Sequence, residues 1–520
     1  MKRLIALLLV LVMSVSVFVG CEKAPVQETN GPTAPSGEKP ATPETTAPVV
    51  SNDPFDGTHD IVEVTWCING DPQAEDEAVM AAVNKLLEER YNLHLNLESI
   101  PGGEYDEKMR LKIHGDEKWD LCFTANWSNN FYSNADMGAF LALNDLLEGV
   151  VGQELMAVYP EGLYNVATVN GNIYALPNYQ MIYNQSGVFI QKDLMDKYGL
   201  KIANGSTIND LNDPEIKKFM EAVRDGEEDM FVIAETGTYT SAVAYGTSAS
   251  TFGVVANIDF DDNDYKAYMK QEAEAFINHR KAMNELYKQG FFREDVATVV
   301  DSSADMKANR YAMYITSGKP GGDVEYSVKQ GEEYVMLYLN DGPYLASTAG
   351  IPTMTAINYN SENPEAALKL YTVMWTDPEI FNMMLFGIEG EHYKKVAENR
   401  VELIADSGYD RSSFGWMLGN QFNAWLLPGQ DDTVWEETEK INRSATVCNM
   451  AGFVLNSEPI ATEIAQINAV VAEYDKMYLY CDDVDAWAKE YAAKLRAAGA
   501  QTVIDEVQKQ VDAWRAANGK

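Results

Sequence analysis

Hydrophobic positions along the chain fall into two rhythms. Residues 61–68 are rich in β-branched and aromatic types, and Gly70-Asp71-Pro72 then turns the chain. Val79, Val83, Leu86, Leu87 and Tyr91 recur at helical spacing, whereas residues 93–100 alternate with period two. Residues 119–124 form another short apolar run. Strand, helix, strand, helix, strand is the order of a parallel α/β sheet. A strand over 170–176 is expected to lead across to 187–190, with a helix from Asp193.

Further on, Asp213-Pro214-Glu215, Asn363-Pro364-Glu365 and Asp377-Pro378-Glu379 each place a capping side chain before proline at the first helical position. Near the C-terminus Ile460, Ile464, Ile467, Val471, Tyr474 and Tyr478 step by four and three. Ile504, Val507, Val511 and Trp514 do so after Gly499. Both patterns predict amphipathic helices packed across the body.

The N-terminus reads differently. Lys2 and Arg3 precede an uncharged apolar run over 4–19, too short to span a bilayer comfortably. Phe18-Val19-Gly20-Cys21 resembles a bacterial lipobox, in which the cysteine thiol is acylated and becomes the new N-terminus. Residues 1–20 are thus expected to be a lipoprotein signal peptide and Cys21 the lipidation site. Residues 21–57, rich in Pro and Thr, hold almost no large apolar residue and read as a disordered tether. Together they predict a body held at the extracellular face of a membrane by its lipid.

Composition narrows the chemistry. A formal charge of −39 argues against a nucleic-acid groove and against polyanionic ligands. Cys67, Cys122, Cys448 and Cys481 form no framework and no CxxC pair, and read as buried free thiols with their pairing open. The five histidines lack metal-ligand spacing. The run Asp259-x-Asp261-x-Asn263-Asp264 has no loop glycine at the sixth position and Lys270 where a bidentate glutamate belongs, so it reads as an acidic turn. No metal, cofactor or catalytic residue is expected.

Several phrases in order carry a family resemblance. They are Asp120-Leu121-Cys122-Phe123-Thr124-Ala125-Asn126-Trp127, then Gly138-Ala139-Phe140 with Leu143-Asn144-Asp145. Val169-Asn170-Gly171-Asn172-Ile173-Tyr174-Ala175-Leu176-Pro177 and Lys192-Asp193-Leu194 follow. The second half supplies Phe386-Gly387-Ile388-Glu389-Gly390 with His392-Tyr393, then Gly419-Asn420-Gln421-Phe422, Gly452-Phe453 and Gln508-Lys509-Gln510. Through them the chain resembles the family 1 extracellular solute-binding proteins, in the branch with a DUF3502 C-terminal domain (lipoproteins of the LplA type). The resemblance implies an α/β, two-lobe, periplasmic-binding-protein-like fold of type II, with a hinge between the lobes and a helical C-terminal region. It implies lobe I over 58–180 plus 345–395. Lobe II is expected over 181–344 plus 396–520, the latter including the DUF3502-like helices. It also implies a monomer that captures a small solute of the carbohydrate class by lobe closure and delivers it to ABC permease subunits, with no reaction catalysed.

Candidate ligand residues follow from chemistry. A sugar needs flat apolar faces for its C–H surface and amides or carboxylates for its hydroxyls. Trp127, with Asn126 and Asn129 beside it, follows a strand end, where ligands of open α/β sheets sit. Asp71 and Gln73 follow the first strand likewise, with helix capping as the competing reading. Tyr179 and Tyr183 lie just past the Ala175-Leu176-Pro177 turn, near the expected hinge. Trp416, Asn420, Gln421, Asn423 and Trp425 mix aromatics with amides. Glu389, His392 and Tyr393 form either a polar cluster or a capped turn. Two rival functions remain open. One is a secreted glycoside hydrolase, which needs two carboxylates across a cleft. The other is a surface sensor presenting ligand to a kinase.

Overall fold

The computed structural model describes residues 53–520 except 116, 235–249, 300, 301 and 341. The expected signal peptide, Cys21 and most of the tether lie outside these residues.

Among the described residues two five-stranded sheets are built from β1 (Val62–Asn69), β2 (Leu93–Ile100), β3 (Leu121–Thr124), β4 (Leu176–Pro177), β5 (Ser186–Gln191), β6 (Thr207–Ile208), β7 (Phe231–Ile233), β8 (Tyr311–Ser317), β9 (Tyr334–Leu339) and β10 (Met354–Ile357). The first sheet runs β2-β1-β3-β10-β4. Its β1 is parallel to β2 and β3, and β10 returns antiparallel between β3 and β4. The second runs β6-β9-β5-β8-β7, with β5 antiparallel to both neighbours. Helices cover the sheets, so central strands are apolar on both faces: β3 is buried along its whole length.

Each sheet has its own core. Val64, Trp66, Ile68, Phe123, Met354 and Leu370 belong to the first. Val188, Ile190, Met313 and Leu337 belong to the second, together with the C-terminal residues Ile467, Tyr491, Val507 and Val511. The body is thus mixed α/β, with two five-stranded sheets and a helical C-terminus. Three chain segments run between the lobes and pair with one another. Asn184 exchanges backbone hydrogen bonds with Tyr344 at 2.7 and 3.1 Å, and Cys448 N donates to Leu345 O at 2.9 Å. Met181, Tyr183, Leu345, Ile441 and Ala445, drawn from all three crossings, make a small apolar cluster there.

Two boundaries differ from expectation. Residues 53–57, expected in the tether, belong to the first lobe: Phe55 is buried in its core, and Asp53 pairs at 2.8 Å with the buried ammonium of Lys369. Residues 396–430, expected with the second lobe, pack on the first, whose core takes Val401, Tyr409, Met417, Leu418 and Leu427. Their contacts are remote in sequence, so periodicity could not assign them.

Local expectations fare unevenly. Helices begin at Pro214, Pro364 and Pro378; Asp213 and Asp377 cap with their side chains, whereas Asn363 does not. The expected strand over 170–176 is broken. Asn170 (φ 50°) and Gly171 (φ 84°) instead turn a short hairpin between Thr168–Val169 and Asn172–Ile173, because consecutive positive φ values suit a two-residue hairpin loop. The C-terminal helices are Ala461–Tyr474, Val484–Ala497 and Ala500–Asn518; the middle one was not anticipated. The break at Gly499 (φ 99°) has a steric cause: a Cβ there would lie 2.6 Å from the Glu463 side chain. Among the described residues none of the four thiols forms a disulfide. Asp262 caps its own acidic turn through Asp264 N and Lys266 N.

Candidate ligand-binding site

A site forms where β1 and β3 end. At the end of β1, Gly70 lies under Phe414 so closely that a Cβ would come within 2.2 Å of the ring. Beyond β3 the chain makes a tight turn held by side chains. Thr124 Oγ1 donates to Asn129 O at 2.6 Å, and Asn129 Nδ2 donates to Phe123 O at 2.9 Å. Asp106, from helix Gly102–His114, accepts from Ser128 Oγ at 2.7 Å and Asn129 N at 2.8 Å. Asn69 Nδ2 donates to Ser128 Oγ at 3.3 Å.

The turn presents Trp127 outward, 56% exposed, with its Nε1 donating to Pro352 O at 2.8 Å. Its ring leans on Trp416 (centroids 6.3 Å apart) and on the buried Phe123 (5.7 Å), and Phe123 meets Trp416 edge-on at 5.5 Å. Asn69, Gly102, Asp106, Trp127, Ser128 and Trp416 line a cavity of about 350 Å³. An exposed indole whose one polar atom is already bonded is a fixed apolar plate beside polar groups. That combination suits a ligand with both C–H faces and hydroxyls. Among the described residues the lining holds one carboxylate and no cationic side chain.

A second cavity, of about 630 Å³, flanks the crossings and is lined in part by Tyr179, Asn420, Phe422, Glu439, Asn442 and Arg443. Tyr179 pairs by its backbone with Gly419 and Gln421, and its hydroxyl donates to Glu439 Oε1 at 3.2 Å. Burial, aided by the Glu439 carboxylate, pushes that hydroxyl up to about 12.

The structure therefore brings Trp127 and Trp416 together at one cavity, and Tyr179 and Asn420 at another. The remaining candidates stand elsewhere. Tyr183 is 2% exposed inside the crossing cluster, its hydroxyl without a hydrogen-bond partner among the described residues. Gln421 is buried, and Asn423 donates to the Met374 and Trp375 carbonyls. Trp425 stacks on Phe386 at 6.1 Å under Lys395. Gln73 N donates to Asp76 Oδ2, and its side chain donates to Asp71 O and accepts from Asp410 N; it does not cap helix Asp76–Tyr91, whose N-cap is Glu75, and Asp71 is exposed. Asn126 is exposed and its carbonyl accepts from Asn130, while Asn129 is consumed by the turn. His392 is buried with Nδ1 accepting from Ile388 N, which locks the turn that also holds Glu389 and Tyr393.

Sequence reasoning missed Asn69, Asp106 and Ser128. Asn69 ends a legible strand and could have been found. Asp106 sits on a helix whose position over the turn only folding reveals. Among the described residues no cluster of three His, Cys, Asp or Glu could hold a metal, and no helix is long and apolar enough to cross a membrane.

Known proteins share this architecture. A carbohydrate ABC transporter substrate-binding protein of Streptococcus pneumoniae serotype 4 is 25% identical over 451 residues, covering 85% of this chain and 89% of the relative. The solved N-glycan transport solute-binding protein NgtS of Streptococcus pneumoniae superposes with a TM-score of 0.73 at 22% identity, over 87% of this chain and 98% of that one. The alginate-binding protein AlgQ2 gives 0.58 at 15% identity, over 88% and 99%. A domain of unknown function, DUF3502, matches residues 449–516, the region of the C-terminal helices. The pattern of the bacterial extracellular solute-binding proteins matches residues 69–379, from the end of β1 through the second sheet to the return strand and beyond, and the chain belongs to that family.

Proposed function

We propose that this protein captures a neutral oligosaccharide against the Trp127–Trp416 plate and hands it to an ABC importer, working from a lipid anchor at Cys21. The observation that carries the reading is Trp127: a large apolar ring left 56% exposed, yet fixed by its bond to Pro352 O. Exposing such a ring forgoes hydrophobic stabilisation, and a sugar face restores it. The lone Asp106 and the neutral amides and hydroxyls nearby offer acceptors and donors to hydroxyl groups. Among the described residues no cation lines that cavity, which disfavours anionic sugars. The names of the similar proteins point to carbohydrate as well.

Closure around the paired crossings supplies the signal a permease reads, because only the closed form contacts solute from both lobes. On this reading the lobes are the first sheet with 53–180 and 351–430, and the second sheet with 186–341 and 448–520. A glycosidase needs two opposed carboxylates; among the described residues the Trp127 cavity is lined by one. The test is calorimetric titration with a panel of neutral and acidic oligosaccharides. A saturating neutral glycan should add about 3 kcal/mol of stability at roughly 100-fold excess over its Kd. Trp127→Ala should weaken that Kd about tenfold or more while the melting temperature of the free protein holds. An unchanged Kd in Trp127→Ala removes the plate from the site. Turnover of the glycan refutes the transport reading.

A further inference from the structure

Helix Gly322–Gln330 connects β8 to β9 and lies between the lobes. One side belongs to the second sheet. Tyr326 packs its ring against Phe189 (4.8 Å), Tyr314 (5.3 Å) and Tyr334 (4.8 Å), and Gly322 sits against Met336 and Phe189. The other side faces the first lobe. Val324 and Val328, four residues apart and so on one stripe, pack against the first core rather than their own. Val324 lies over Gly429, its methyls 3.7 and 3.9 Å from where a Cβ on that glycine would stand. At the start of the helix, Gln430 Nε2 donates to Glu325 Oε1 at 3.2 Å and to Gly321 O at 3.4 Å, and Lys319 pairs with the same carboxylate at 2.7 Å.

Val324 and the polar contacts of Gly321 and Glu325 therefore share the first turn of the helix, beside the crossing helix Val434–Ser444, and Val328 lies one turn farther from it. Rotation about the crossings moves distant points most. Gln430 can follow the helix start, whereas Val328, one turn beyond Val324, must leave the first lobe when the lobes part.

We infer that the Val324–Val328 stripe is a closure contact: its burial exists only when the lobes are together, so it sets the ratio of open to closed protein without touching solute. This makes Val324 and Val328 positioning residues for affinity, and it rests on the proposed closing motion. Solute binding draws on the closed fraction, so a weaker stripe lowers apparent affinity by the same factor that it lowers closure.

The test needs no ligand. Small-angle scattering of the unlipidated Cys21→Ser protein, free of solute, is compared with the same protein carrying Val328→Lys. The charged side chain should shift the open-to-closed ratio by about tenfold and enlarge the radius of gyration, with the melting transition retained. Val324→Ala should move it less in the same direction. If Val328→Lys melts early, Val328→Ala decides the matter. Scattering curves that superimpose on the parent for the folded variants overturn the inference. Failure of every glycan to bind would sink the proposed ligand but leave this comparison intact.

Discussion

The molecule carries two aromatic clusters of similar ring geometry and opposite fate. On the first lobe, Phe123, Trp127 and Trp416 lean together with Trp127 exposed. On the second, Phe189, Tyr314, Tyr326 and Tyr334 make equally close pairs, but helix Gly322–Gln330 covers them, and Phe189 and Tyr334 are buried. Ring chemistry alone does not make a site. The first cluster ends at a strand-end turn that leaves Trp127 exposed, and the indole's polar atom is tied down by backbone. The second has a helix as its lid. Burial there strengthens packing, whereas exposure on the first lobe leaves a surface for another molecule.

The contrast can be broken by mutation, and the largest effect belongs to the buried cluster. Phe189→Ala should cost about 3–4 kcal/mol of stability, read by chemical denaturation. A loss as small as that expected for exposed Trp127→Ala would make the two clusters equivalent. Next comes the support of the exposed plate. Asp106→Ala removes the acceptor for Ser128 Oγ and Asn129 N and should cost about 1–3 kcal/mol. It should also weaken glycan binding, because the turn no longer fixes the indole; unchanged affinity would show that the plate needs no such support.

The smallest effect is electrostatic and lies between the lobes. Asp136 of the first lobe stands beside Ser457 and the Glu458 carboxylate, in the segment that leads into the C-terminal helices. Partial burial, with the Glu458 charge adding, raises its carboxyl above the ordinary range. A raised carboxyl favours the folded, joined form when protonated, so this stabilisation is present at low pH and is lost as pH rises through the carboxylate range. Asp136→Asn should flatten that part of the stability–pH profile. A profile identical to the parent's would remove Asp136 from the contact.

Much of the frame was legible in residues. The strands at 62–69 and 93–100 announce themselves by β-branched content and period two, and the three Asp/Asn-Pro-Glu starts by capping chemistry. These depend on neighbours within a few positions. The hairpin at Asn170-Gly171 was misread as strand because its apolar flanks masked turn residues. The middle C-terminal helix was missed although Asp483 caps it through Ala486 N.

The site itself was half legible. Trp127 could be picked out because β3 is plainly apolar and a tryptophan follows its end. That it pairs with Trp416, 289 positions away, could not, and neither could the burial of Tyr183, Gln421 and His392. The sequence by itself determined the α/β rhythm, the helix starts and an acidic surface, since each follows from local propensity or summed charge. Tertiary structure decided which lobe residues 396–430 join, which aromatics stay exposed and which helix bridges the gap. Those outcomes turn on contacts between remote segments, and periodicity along a chain holds no record of what will pack across from it.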